Sequence, residues 1–174
     1  TKQSRAKPRI DFRRMQDVLG IAPKPTQVWQ KQFDWHNDVL IKMSRMEWCD
    51  IPEDFMWHYL NDLAYVELQP DLFRHVFPAC LKYWYETLMR DESASPGDAD
   101  FHYALEHSRL VDKTLSESEK SRLFDFFVDG FLDRVEAQLS LKKEGLIGDV
   151  SSNDQHGWIF RFNSLGVVAP VIEP

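Results

Sequence analysis

Apolar residues recur at three- and four-residue steps along most of this chain, which is the pattern of amphipathic helices. The spacing predicts helices over residues 9–19, 26–43, 50–66, 70–88, 100–110 and 116–143. Beyond residue 145 the period changes, and residues 158–162 and 167–172 are typical of two strands joined by a turn. The predicted fold is therefore mainly α, a bundle of about five helices with a small C-terminal β-hairpin.

Two helix starts carry capping signals. Asp50 precedes Glu53 by three residues, and Ser116 precedes Glu119 by the same interval, which is the spacing of a capping box. Thr26 is the expected N-cap of an earlier helix. Pro78 lies inside the helix predicted over 70–88, where it is expected to bend or break the helix because proline donates no backbone hydrogen bond.

Charge is divided unevenly along the chain. Residues 1–45 carry 10 basic and 4 acidic side chains, whereas residues 46–174 carry 24 acidic and 11 basic ones, and the whole has a formal charge of −7. We expect a basic N-terminal arm and linker over 1–25, a helical domain over 26–144, and a short β appendage over 145–174 that is truncated at its C-terminal end. An acidic body favours basic partners and repels nucleic acid and anionic membranes.

The composition argues against several classes of function. No apolar run approaches the roughly 18 residues that span a bilayer, and no signal peptide is visible, so a cytoplasmic location without membrane contact is expected. Only the basic arm is a candidate for binding nucleic acid, through phosphate contacts of Arg5, Lys7, Arg9, Arg13 and Arg14. We find no nucleophile motif and no phosphate loop, and we predict no cofactor.

The densest group of metal-ligating residue types lies at 98–107. It contains Asp98, Asp100, His102, Glu106 and His107. His102 and His107 are five residues apart, which places them about 140° apart on a helix, unlike the four-residue spacing of zinc-binding helices. The favoured interpretation is a set of loop acids before an ordinary amphipathic helix, and a metal site is the alternative.

The longest predicted helix carries an acidic stripe. Asp125, Asp129, Asp133 and Glu136 fall within about 80° of one another around the helix, and Phe126 lies beside them. The expected apolar face consists of Phe124, Phe127, Val128, Phe131, Leu132, Val135 and Leu139. An exposed aromatic ring flanked by carboxylates is typical of a binding site for a basic protein. Alternatively, Phe126 packs against a neighbouring helix and the acids serve solubility.

Residues 45–135 resemble an uncharacterised bacterial family. The matching letters are W-x-D-I-P at Trp48–Pro52 and F-R-x-x-F-P-A at Phe73–Ala79, and the chain departs from the family at Phe77, where the family has Leu before the proline. Residues 91–99 form an acidic insertion relative to that pattern. The resemblance implies a helical bacterial domain and brings no catalytic residues with it. Small acidic helical proteins of this kind are often immunity proteins, an analogy at the level of the fold.

These observations favour a non-enzymatic protein-binding domain, of the immunity type, that neutralises a basic toxin through the acidic helix face. The candidate contact residues are Asp125, Phe126, Asp129, Asp133 and Glu136. Two alternatives stay open. One is a hydrolase or metal-dependent enzyme that uses the cluster at 98–107, and the other is the N-terminal domain of a larger protein whose function lies beyond Pro174.

Overall fold

The computed structural model describes residues 8–28, 37–90, 96–107 and 110–143. The described part is built from helices, as the periodicity predicts. They are α1 (Phe12–Asp17), α2 (Asn37–Arg45), α3 (Glu53–Tyr65), α4 (Pro70–Met89), α5 (Pro96–His107), α6 (Leu110–Thr114) and α7 (Glu117–Lys143), with a 3-10 turn at Trp48–Asp50 before α3. The predicted C-terminal hairpin lies outside the described residues.

Helix α4 runs through the centre of the packed structure. Phe73, Phe77 and Trp84 on α4 are fully buried, and they are among the largest side chains of the core. Pro78 does not break the helix, which continues from Pro70 to Met89. Helices α3, α5 and α7 all pack against α4, so the core lies between α4 and these three helices.

Helix α7 is rotated about its axis, so that it buries a different face from the one that the sequence predicts. Its buried residues are centred on Phe126, Phe127 and Gly130, whereas the predicted apolar face is centred about 130° further round the helix. Gly130 explains the rotation, because a Cβ atom at that position would lie 2.8 Å from Cζ3 of Trp84. The missing side chain admits the tryptophan ring against the backbone of α7, and this contact selects the face that is buried.

One of the two predicted capping boxes is present. The Ser116 hydroxyl accepts from the Glu119 amide at 3.4 Å, and the Glu119 carboxylate accepts from the Ser116 amide at 2.8 Å. The prediction at Asp50 is wrong, because Asp50 belongs to the 3-10 turn and Pro52 is the N-cap of α3. The predicted start at Thr26 is also wrong, since residues 26–28 are not helical.

Glu119 also joins α7 to α4 through Arg74, whose guanidinium donates to the carboxylate at 2.7 Å. Burial raises the pKa of Glu119, but the hydrogen bonds from Arg74 and Ser116 outweigh it, so the pKa lies below the ordinary 4.5. A carboxyl group whose pKa is lowered in the folded state stabilises the fold when the pH is above its unfolded-state pKa. This stabilisation is lost as the pH falls through the folded-state pKa.

We therefore expect Arg74→Met to destabilise the protein by about 1 kcal/mol at neutral pH and by progressively less below pH 4.5. Urea unfolding of wild type and variant over this pH range measures the difference. Lys120→Met is the matched control, because its partner Glu117 has an 84% exposed side chain. A constant gap between wild type and Arg74→Met at every pH would contradict the assignment.

The N-terminal segment packs on this helical body. Ile10, Met15 and Val18 are buried, and the Val18 carbonyl accepts a hydrogen bond from the Arg122 guanidinium at 2.9 Å. Asp11 caps α1 by accepting from the Arg14 amide, and Gly20 follows with a φ of +80°, where glycine is favoured because it lacks a Cβ. Part of the segment expected to be an arm and linker thus contributes to the core.

Candidate functional site

Asp133 is the most heavily hydrogen-bonded member of the predicted acidic stripe. Its carboxylate accepts from the backbone amide of Arg9 at 2.9 and 3.0 Å, and from that of Ile10 at 3.3 Å. The Arg9 guanidinium and the Tyr85 hydroxyl each donate at 2.9 Å. Only 3% of the Asp133 side chain is exposed. Its charge is therefore neutralised and hydrogen-bonded within the chain.

Two further acids of the stripe also bind the N-terminal segment. The Arg9 guanidinium donates to Glu136, and the Arg14 guanidinium donates to Asp129 at 3.1 Å. The hydrogen bonds to Glu136 and Asp133 raise the pKa of Arg9, and the Arg9 hydrogen bond lowers the pKa of Glu136. The basic N-terminal segment is the candidate for nucleic-acid contact in the sequence. In the structure, two of its arginines, Arg9 and Arg14, instead bind the acidic stripe of the same chain.

Asp125 and Phe126 have opposite surroundings. Asp125 is exposed, as the sequence predicts. The alternative in which Phe126 packs against a neighbouring helix is the correct one, because the residue is 0% exposed and its ring centroid lies 5.8 Å from that of Trp84 on α4. The candidate role of Phe126 as an exposed contact residue is therefore wrong. Phe126 is thereby excluded from direct contact with a partner.

The rotation of α7 exposes residues that were expected in the core. Leu132, Val135 and Leu139 are 45%, 39% and 53% exposed. At 100° per residue they are centred about 165° from the buried face, so they point away from the bundle. We call these three residues the apolar stripe. Contiguous exposed apolar side chains on a helix are typical of a protein-binding surface.

The apolar stripe has an acidic edge. Asp125, Asp129 and Glu136 follow it along one side of α7, and Asp129 and Glu136 are bound by Arg14 and Arg9. Asp125 forms no ion pair within the described residues. The geometry therefore offers an apolar contact area with one exposed carboxylate at its N-terminal end.

The alternative metal cluster is only partly described. His102 is buried, and its Nε2 lies 3.3 Å from the carboxylate of Glu106 one helical turn away. The side chains of Asp98, Asp100 and His107 lie outside the described residues. Among the residues that are described, no three histidine, cysteine or carboxylate side chains are arranged to hold a metal ion.

The two cysteines differ in environment, and both are free thiols. Cys80 is fully buried on α4, and this burial raises the pKa of its thiol. A buried thiol with a raised pKa is a poor nucleophile, because the thiolate is the reactive form. Cys80 therefore acts as a small core residue.

Comparison of the chain with models of protein families, with curated proteins and with solved structures found no match. None of the described helices combines the length and the apolar composition that a membrane span requires. The candidate surface consequently depends on the contacts and exposures of its own residues.

Sequence reasoning identified α7 as the important helix but missed which of its residues are exposed. The available signal was Gly130, a glycine in the interior of a long helix, where it costs roughly 0.5–1 kcal/mol relative to alanine. Such a glycine indicates close approach by a neighbouring side chain. Placing Gly130 at the centre of the buried face would have exposed Leu132, Val135 and Leu139.

Proposed function

We propose that this chain is a non-enzymatic protein-binding domain of the bacterial immunity type, which binds and neutralises a basic toxin. The contact surface in this proposal is the outer face of α7, formed by the apolar stripe and Asp125. The supporting observation is the 39–53% exposure of three apolar side chains on one helix face beside an exposed carboxylate. A partner with apolar side chains next to lysine or arginine matches that composition.

The acidic stripe contributes to this surface in a different way from the one that the sequence predicts. Asp133 and Phe126 support the face from beneath, since both are buried. Asp129 and Glu136 already hold arginines of the same chain. Asp125 is therefore the acid we assign to the partner.

The family resemblance is compatible with the same proposal. Phe73 and Phe77 of its second motif are fully buried, and Trp48 of the first motif packs edge-on against Phe12 with ring centroids 5.9 Å apart. These motif residues stabilise the fold, so the resemblance concerns the core and does not involve the proposed contact surface on the outer face of α7.

We expect Asp125→Lys to abolish capture of the partner from a lysate of the source organism, because it places like charge against a basic protein. Asp112→Lys reverses another exposed acid, on α6, and is the matched control. The captured protein is identified by mass spectrometry, purified, and tested for growth arrest that wild type relieves and Asp125→Lys does not. Equal capture and equal relief by both variants would refute the proposed surface.

A further inference from the structure

The two exposed tyrosines of the chain are in contact with each other. The chain has five tyrosines, and all of them are among the described residues. Tyr65 at the end of α3 and Tyr103 on α5 are 49% and 42% exposed. The other three, Tyr59, Tyr83 and Tyr85, are buried or half-buried. A reagent in solution therefore reaches Tyr65 and Tyr103 more readily than any other tyrosine.

The contact joins the hydroxyl ends of the two rings. The Tyr65 hydroxyl donates a hydrogen bond to the Tyr103 hydroxyl at 2.9 Å. The ring centroids are 5.7 Å apart, and the ring planes are tilted by 49°. Helices α3 and α5 pack against each other, so the fold holds the two rings together although they are 38 residues apart in the sequence.

This arrangement is close to the product of oxidative tyrosine coupling. A phenol that loses one hydrogen atom becomes a phenoxyl radical, whose unpaired electron is shared between the oxygen and the ring carbons ortho and para to it. The para carbon carries the rest of the side chain, so two such radicals join through their ortho carbons. In the product the two hydroxyls lie side by side next to the new bond, and their bulk keeps the rings out of one plane. The hydrogen-bonded hydroxyls and tilted rings of Tyr65 and Tyr103 match both features.

We propose that Tyr65 and Tyr103 form an oxidative modification site, at which hydrogen peroxide and a haem peroxidase couple the two rings into a dityrosine that joins α3 to α5. Each phenol loses one electron and one proton to the oxidised haem. A carbon–carbon bond forms between the two ortho carbons, and the hydrogen on each coupled carbon moves to the oxygen of its ring, which restores both phenols. The two hydrogen atoms removed from the pair reduce one peroxide to two waters.

The hydrogen bond between the rings favours their joint oxidation. A phenol that loses an electron becomes strongly acidic, so its proton needs an acceptor, and the Tyr103 oxygen is that acceptor for Tyr65. The hydrogen bond with Tyr65 raises the pKa of Tyr103, so Tyr103 is a neutral phenol at neutral pH. A radical formed on either ring thus has a second oxidisable phenol in contact with it.

The product is a covalent link between two helices that thiol reductants do not cleave. It closes a loop of 38 residues, and closing a loop lowers the conformational entropy of the unfolded chain. The melting temperature of the cross-linked chain should therefore rise by roughly 5–15 °C over that of the untreated chain. This inference is independent of the proposed function, because neither tyrosine belongs to α7.

Treatment of the purified full chain with a haem peroxidase and hydrogen peroxide tests the proposal. At about 1 µM protein, the two tyrosines of one chain should react with each other, because their effective concentration is in the millimolar range. The product should show dityrosine fluorescence and migrate at the monomer mass of 20.5 kDa on a reducing denaturing gel. Mass spectrometry should show the loss of two hydrogen atoms and a bond between the peptides that contain Tyr65 and Tyr103.

Single variants test which tyrosines react. Tyr65→Phe and Tyr103→Phe should each lower the yield of dityrosine by roughly 100-fold, because the remaining phenol has to find a partner in another chain. Tyr83→Phe is the matched control, since it removes a half-buried tyrosine of α4 and should leave the yield unchanged. Circular dichroism confirms that each variant is folded.

A double variant separates contact from exposure. Tyr103→Phe combined with Ile21→Tyr keeps two exposed tyrosines, because Ile21 is 83% exposed, but moves one of them to the segment after α1. It should give no more dityrosine than Tyr103→Phe alone. A yield equal to that of wild type would show that exposure alone determines the reaction and would overturn the proposal. A wild type that forms no dityrosine, or forms it only between chains, also overturns it.

Discussion

Replacement of Asp133 by alanine is expected to lower the free energy of unfolding by about 2–3 kcal/mol, because it leaves buried and partly buried donors without their acceptor. The change removes the acceptor of two consecutive backbone amides, those of Arg9 and Ile10, and of the Tyr85 hydroxyl. It also leaves the Arg9 guanidinium with Glu136 alone. Urea or thermal unfolding followed by circular dichroism measures the loss.

Two comparisons make this prediction specific. Asp129→Ala removes a carboxylate with a 29% exposed side chain and one hydrogen bond to Arg14, so it should cost less than about 1 kcal/mol. Asp133→Asn keeps an acceptor for the amides and should fall between the two. If Asp133→Ala were no more destabilising than Asp129→Ala, Asp133 would not anchor the N-terminal segment.

Gly130→Ala is expected to destabilise the protein by about 1–3 kcal/mol, although alanine is the better helix former. The added Cβ would lie 2.8 and 2.9 Å from two atoms of the Trp84 ring. That ring is fully buried, and the rings of Phe126, Phe127 and Phe131 surround it with centroids 4.7–5.8 Å away. Moving the Trp84 ring would therefore require these neighbouring rings to move as well.

Ser140→Ala is the control for Gly130→Ala, because it lies on the same helix at a half-buried position. Helix propensity favours alanine there, and the variant should be neutral or slightly stabilised. Equilibrium unfolding in urea compares the two variants under identical conditions. A stabilised Gly130→Ala protein would show that the Trp84 contact does not determine the rotation of α7.

The fold was predictable where a local signal decides the outcome. The three- and four-residue periodicity predicted the helical class, and the Ser116–Glu119 box predicted the start of α7. The capping box predicted at Asp50 is absent, because Asp50 is the last residue of a 3-10 turn and so cannot be the N-cap of α3. The break that Pro78 could cause does not occur, because the lost hydrogen bond is tolerated within a helix that tertiary packing buries on most of its surface.

The candidate site was less predictable because it depends on contacts between distant residues. Counting apolar positions on α7 gave equal weight to Leu132 and Phe131, although only Phe131 faces Trp84. The acids of the stripe looked like ligands for another protein, yet the carboxylate of Asp133 binds a segment more than a hundred residues away in the sequence. A charge pattern indicates that a cationic partner exists, and it does not distinguish a partner in the same chain from one in another.

The attachment of the N-terminal segment also affects the order of events during synthesis. Arg9 and Asp133 are 124 residues apart, so their hydrogen bonds form only after most of the chain has left the ribosome. At 5–20 residues per second this takes roughly 6–25 seconds. During that interval Ile10, Met15 and Val18 lack the surface that buries them, and Trp84 lacks Gly130. Until α7 has been synthesised, the nascent chain therefore presents these apolar side chains to chaperones that bind apolar segments.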